Sequence, residues 1–119
     1  MANIKNSLKE LMDIDGSVGV SIVDGDSGMV IGEAGGGVDM ELAAAGNSEV
    51  VKAKMATMES LGLKEAIEDI LISLGTQYHI IRPMIEHKGL FIYLVLDKKK
   101  SNLALARRKV QMVEGTLEV

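Results

Sequence analysis

Residues 67–113 read as three strands in succession followed by one amphipathic helix, and few folds accommodate that order. The strand text is Ile-Glu-Asp-Ile-Leu-Ile-Ser-Leu at 67–74, Tyr-His-Ile-Ile-Arg-Pro-Met-Ile at 78–85, and Leu-Phe-Ile-Tyr-Leu-Val-Leu at 90–96. Gly75-Thr76 and His87-Lys88-Gly89 separate them with the residues that tight connections require. The helix opens at Asn102-Leu103-Ala104. Residues 90–96 are apolar on both faces, whereas a strand with one wet face would alternate. That strand is therefore expected to be central, with helices on both sides of the sheet. Pro83 is expected near the end of its own strand, past the last ladder bond it would break.

The rest of the chain supplies two more strands and two more helices. Ile4, Leu8, Leu11 and Met12 share one helix face, with Lys5, Lys9 and Glu10 turned outward. Asp15-Gly16 stops this helix. The apolar run 18–23, the turn text Asp24-Gly25-Asp26-Ser27-Gly28, and the apolar Met29-Val30-Ile31 form a hairpin. Asp39 is the candidate N-cap of a long helix reaching about Ser60, with Gly62 near its stop. The element order is α-β-β-α-β-β-β-α, an α+β chain with a five-stranded antiparallel sheet. The 119 residues are enough for one domain, 1–119, with one core.

That core must be aliphatic, because the chain has one Phe, two Tyr and no Trp, with eight Met as filler. A net charge of −4 argues against nucleic acid as a partner. The absence of Cys excludes disulfides, thiolate metal sites and a Cys nucleophile. Residues 1–5 lack the apolar core of a signal peptide, and no apolar run is long enough for membrane insertion. A cytoplasmic location is the expectation.

Candidate chemistry is thin. The stretch Gly32-Glu33-Ala34-Gly35-Gly36-Gly37 precedes a helix, but Val38-Asp39 stands where a phosphate loop needs Lys and Ser or Thr. It reads as a flexible connector. Asp13, Asp15, Asp24 and Asp26 lie beside glycines, as turn residues do, without the frame of a calcium loop. His79 and His87 have no Cys or second His at metal-ligand spacing. No Gly-x-Ser-x-Gly elbow occurs. No catalytic residue, metal or cofactor is expected. One basic cluster, Lys98, Lys99, Lys100, Arg107 and Arg108 with Lys109, reads as a solvated helix entry, or as a docking surface for an acidic partner. The core side of the last helix is Leu103, Ala106, Val110, Val113 and Leu117.

The long helix is too apolar to serve only as cover for a sheet. Met40, Ala44, Val51, Met55 and Met58 form one stripe, interrupted by Asn47. Ala43, Gly46, Val50 and Ala53 form a second, and the polar line of Glu41, Ser48, Lys52 and Glu59 is narrow. Gly46 costs about 1 kcal/mol against Ala inside a helix, which a close helix–helix contact would offset. Either the helix is buried within its own domain, or two copies pack together as a C2 dimer.

The element order, Ile-Ile-Arg-Pro at 80–83, Leu-Val-Leu-Asp at 94–97, Asn-Leu-Ala-Leu-Ala-Arg at 102–107 and Val-Gly-Val-Ser-Ile-Val-Asp at 18–24 resemble the roadblock/dynein light chain family over residues 4–113. The resemblance is to the bacterial stand-alone type, similar to small-GTPase regulators of the gliding-motility kind. It implies strand order 2-1-5-4-3, with the long helix on one face and the terminal helices on the other. It also implies a non-catalytic homodimer, joined through the long helices and the third strand, that scaffolds or regulates a small Ras-like GTPase. The interface would include Ala43, Gly46, Asn47, Val50, Ala53, Lys54, Glu68 and Ile70. The rival expectation is a PAS- or GAF-like small-molecule sensor, a fold of the same strand order. Such a domain usually places several short helices and a cavity where this chain has one long helix.

Overall fold

A computed structural model describes residues 3–119. The elements follow in the order α1 (Ile4–Met12), β1 (Ser17–Asp24), β2 (Met29–Gly35), α2 (Met40–Ser60), β3 (Ile70–Ser73), β4 (Gln77–Pro83), β5 (Leu90–Asp97) and α3 (Leu103–Thr116). All strand pairs are antiparallel, in one sheet ordered β2-β1-β5-β4-β3. The expected fold class, strand order and element order are all present.

Each helix starts where a side chain can satisfy a free N–H. Asn3 caps α1 by accepting from the Asn6 N–H, Asp39 caps α2 at Leu42, and Asn102 caps α3 at Leu105. Gly62, at φ +72°, follows the end of α2 in the left-handed region that glycine tolerates.

Central β5 is buried from Phe91 to Leu96, because both faces are covered. Ile92, Leu94 and Leu96 join Val20, Ile22 and Ile80 beneath α1 and α3, with Leu8, Leu11, Ala106, Val110 and Val113. Phe91, Tyr93 and Val95 join Val23 and Ile81 beneath α2, with Met40 and Ala44. Alternation along one strand thus feeds two separate clusters.

Four expectations need correction. The strand expected at 78–85 runs over Gln77–Pro83 and leaves Met84 and Ile85 outside it. The strand expected at 67–74 pairs only over Ile70–Ser73. Ile70 lies opposite Ile81, so extending β3 backward would bring it alongside Pro83, which has no N–H to offer. Asp69 is instead drawn to α3, where both its oxygens accept from Arg107 at 2.7 and 2.9 Å. The glycine-rich connector is half strand: Gly32 to Gly35 belong to β2, and Gly36 and Gly37 alone remain in the link to α2. Ser48 is not on an outer polar line. It is buried against the sheet, and its hydroxyl donates to the Ala44 carbonyl at 2.7 Å.

The link is held close to β1. A Cβ at Gly19 would strike the Gly36 carbonyl oxygen and come within 2.8 Å of Met40 Cε. Since one obstacle is backbone, Gly19→Ala is expected to cost about 1–3 kcal/mol, read as a lower urea midpoint at unchanged slope.

Candidate functional site

The two sheet faces are unequally covered. On one, α1 packs on β1 and β2, and α3 packs on β4. On the other, α2 lies closest to β2 and β1. One flank of α2 faces the β1–β2 turn, where Lys52 Nζ donates to the Asp26 carbonyl and Gly28 approaches Ala45. The opposite flank, carrying Ala43, Asn47, Val50 and Lys54, faces the β5-β4-β3 side. Beyond it the sheet continues without a helix of its own: Ile70, Ile72, Gln77 and His79 are only half-buried.

The parity of these strands puts Ile70, Ile72, His79, Ile81, Tyr93 and Val95 on the same face. A polar chain crosses this floor. The Tyr93 hydroxyl donates to His79 Nδ1 at 3.0 Å, and His79 Nε2 donates to Gln77 Oε1 at 2.9 Å. The two rings meet edge to face, with centroids 5.4 Å apart. Burial holds the His79 pKa below its ordinary value, because a desolvated imidazole resists charge. Burial also raises the Tyr93 phenol, while Asn47 acts the other way by favouring the phenolate. Nδ2 of Asn47 is buried and makes no hydrogen bond of good geometry.

The outer surface of α2 is apolar and bare. Leu42 is 72% exposed and Val50 39%; Gly46 and Ala53 are also exposed, and a Cβ at Gly46 would have nothing within 4 Å. Burial of this helix within its own domain is therefore not what its second stripe serves. The edge strand β3 adds the apolar run Ile-Leu-Ile, short and carrying no charge. Natural edges are usually blunted by shortness, charge, proline or a bulge, and of these β3 has only its shortness. The opposite edge, β2, has such a defence in the register shift between Ile22 and Val23 on its partner β1.

Of the residues expected at an interface, Ala43, Asn47, Val50, Lys54 and Ile70 surround this open half-face. Gly46 and Ala53 lie on the adjoining outer surface of α2, and Glu68 is exposed just before β3. The polar floor of Gln77, His79 and Tyr93, together with Ile72, was not among them. Sequence alternation could place His79 and Ile81 on one face, but only the β4–β5 register brings Tyr93 beside them.

The basic cluster is partly committed elsewhere. Lys98 Nζ donates to the Ser73 hydroxyl and the Leu74 carbonyl and sits 5.1 Å from the Tyr78 ring centroid, which pins the β3–β4 turn. Arg107 is held by Asp69, whose hydrogen bonds and charge raise its pKa further. Lys99, Lys100 and Arg108 remain exposed.

A second concavity, an open groove of about 830 Å³, runs between the C-terminal half of α2 and the β4–β5 turn, lined by Met55, Met58, Ile67, Met84 and Phe91. Among the described residues, no cluster of three or more His, Asp or Glu could hold a metal ion, and no helix is long and apolar enough to cross a membrane.

No protein-family model and no curated protein sequence matches the chain. Solved structures do. A roadblock/LC7 domain from Streptomyces avermitilis superposes with a TM-score of 0.82 at 12% identity, covering 97% of this chain and 94% of that one. MglB of Myxococcus xanthus gives 0.81 at 15% identity, covering 92% and 80%. The gliding protein MglB of Thermus thermophilus gives 0.78 at 14%, covering 92% and 82%. These superpositions span nearly the whole chain and agree with the resemblance carried by its strand and helix motifs: this chain has the roadblock/LC7 fold.

Proposed function

We propose that this chain is a non-catalytic homodimeric regulator or scaffold that binds a small Ras-like GTPase and modulates its nucleotide cycle or its location. The observation that carries the dimer is the open half-face, a floor of Ile70, Ile72, Ile81 and Val95 crossed by the Gln77–His79–Tyr93 chain and bounded by a free strand edge on one side and a helix flank on the other. A two-fold axis beside β3 would pair the two edges antiparallel. The same operation would bring the two α2 flanks together over both floors, so one contact would answer the free edge and the bare helix at once. A structural neighbour described as MglB with a tetrameric arrangement shows that this fold can build assemblies.

The GTPase partner rests on the resemblance and on neighbours that are gliding-motility proteins. Acceleration of hydrolysis by an arginine supplied in trans is worth about 10³–10⁵-fold in known systems. This chain is poorly equipped for that. Arg82 is buried against Glu114, Arg107 is held by Asp69, and Arg108 lies on a regular helix. Regulation by docking onto the partner's own switch loops fits better. The groove beside α2 lends little to a small-molecule sensor, since it is open and lies at the end of the helix.

Light scattering after gel filtration tests the dimer: twice 12.7 kDa is expected at micromolar protein. Co-elution with Ras-like GTPases from the same cell, loaded with GDP or a GTP analogue, tests the partner. The expected result is binding that depends on the nucleotide, with any acceleration unchanged in Arg108→Ala. A monomer at high concentration overturns the dimer. Binding to none of those GTPases overturns the partner, and lost acceleration with intact binding in Arg108→Ala overturns docking alone.

A further inference from the structure

We propose that His79 makes the self-association of this chain dependent on pH: the neutral ring completes a hydrogen-bonded floor that a second copy covers, and a protonated ring opposes that cover. The inference rests on the homodimer proposed above and adds its regulation.

Both ring nitrogens are already used by the neutral form. The Gln77 carbonyl oxygen can only accept, so Nε2 carries the proton, and Nδ1 takes the Tyr93 hydroxyl. A second proton on Nδ1 would face that hydroxyl hydrogen, so Tyr93 would have to turn from donor to acceptor. The charge would also form among apolar neighbours. Across the ladders from His79 stand Ile72 on β3 and Val95 on β5, with Ile81 two residues further along β4.

Little nearby charge would compensate. On β5, Asp97 lies opposite Gln77, and its Oδ1 accepts from the Lys99 N–H. On α2, the neighbour is the uncharged Asn47, and the next charge along that flank is the exposed Lys54. β3 carries no charge; Glu68 and Asp69 precede it, and Asp69 is taken by Arg107. Lys98 binds Ser73 and Leu74 at the end of β3.

The ring is half-buried now, so a second copy over the half-face would remove its remaining water. Burial already holds the His79 pKa below its ordinary 6.5. Desolvation by a second copy pushes it lower still; of the charged residues expected at the interface Lys54 acts the same way and Glu68 the other, so the dimer binds protons less readily where desolvation dominates. The sign follows. Above the ordinary value both forms are neutral and association carries no penalty. As pH falls through the monomer's own value, which lies below the ordinary one, the monomer takes up protons first and the dimer weakens. A C2 dimer holds two such rings, so the effect is counted twice.

Sedimentation velocity on the whole chain at about pH 8 and about pH 5 tests this, with circular dichroism confirming that the fold persists. The expected result is a dissociation constant at least tenfold or so higher at the lower pH, with most of the change abolished in His79→Gln and retained in His87→Gln. His87 is a fair control because it binds the Leu117 carbonyl, beyond the end of α3. A second measurement needs no variant at His79. The Cε1 proton of His79, followed by NMR, should titrate at lower pH in concentrated than in dilute protein. A dimer equally tight at both pH values overturns the switch and leaves the dimer standing. Equal weakening in His79→Gln, or one titration midpoint at both concentrations, also overturns it. A monomer throughout overturns the dimer and the switch together.

Discussion

Glu114→Ala is expected to destabilise the chain by about 3–5 kcal/mol, a large part of the roughly 5–15 kcal/mol available to a domain of this size. Arg82 and Glu114 are each 7% exposed and meet at 3.1 Å between Nε and Oε1. Removing the carboxylate leaves a buried guanidinium charge without its partner and with little water. Chemical denaturation of the variant should show a much lower midpoint. The informative partner is the double replacement Arg82→Met with Glu114→Leu. It removes both charges and fills the space with apolar side chains, so it should recover most of the loss. If both variants lose the same stability, the packing of α3 on β4 matters and the charge pair does not.

Val50→Glu is expected to abolish self-association while leaving the monomer nearly as stable as before. Val50 is 39% exposed on the α2 flank beside the open floor, so a polar side chain there meets water in one copy. Such surface changes usually fall within about 0.5 kcal/mol. In a two-fold dimer the same change would desolvate two carboxylates near each other, and like-charge juxtaposition costs several kcal/mol. A loss of affinity of about 100-fold or more should follow, seen as a monomer in light scattering at concentrations where the proposed dimer is expected for the unmodified chain. Lys52→Glu serves as the comparison, because Lys52 lies on the other flank, against the β1–β2 turn. Equal losses from both changes would place the interface elsewhere on α2.

The roadblock/LC7 fold was legible in the chain because its signals are local. The Asp39 cap and the helix start at Asn102 each act within three residues and could be read from the chain, whereas the Asn3 cap was found only in the structure; the turns need little beyond their own glycines. The unbroken apolar run of β5 announced a central strand, and helical spacing picked out the buried side of α3 correctly. Proline at the end of β4 could be placed from its missing N–H alone.

The candidate site was legible only in part. Small residues at helical spacing marked α2 as having a second face, and its exposure agrees with that. Which serine lay beneath the helix was another matter. Ser48 looked polar and therefore outward, yet its hydroxyl is satisfied within its own helix, so burial costs it little. The basic cluster looked uniform, but two of its members are engaged by groups 24 to 38 residues away.

The sequence by itself determined the elements, their order, the Asp39 cap of the long helix and the aliphatic character of the core, since each depends on neighbours within a few residues. Only the tertiary structure decided where β3 begins, which carboxylate Arg82 and Arg107 each find, and that His79 meets Tyr93. Those outcomes depend on strand register and on helix placement. Register moves side chains between faces in steps of one residue, and separations of 14 to 38 residues are closed by packing that no local pattern records.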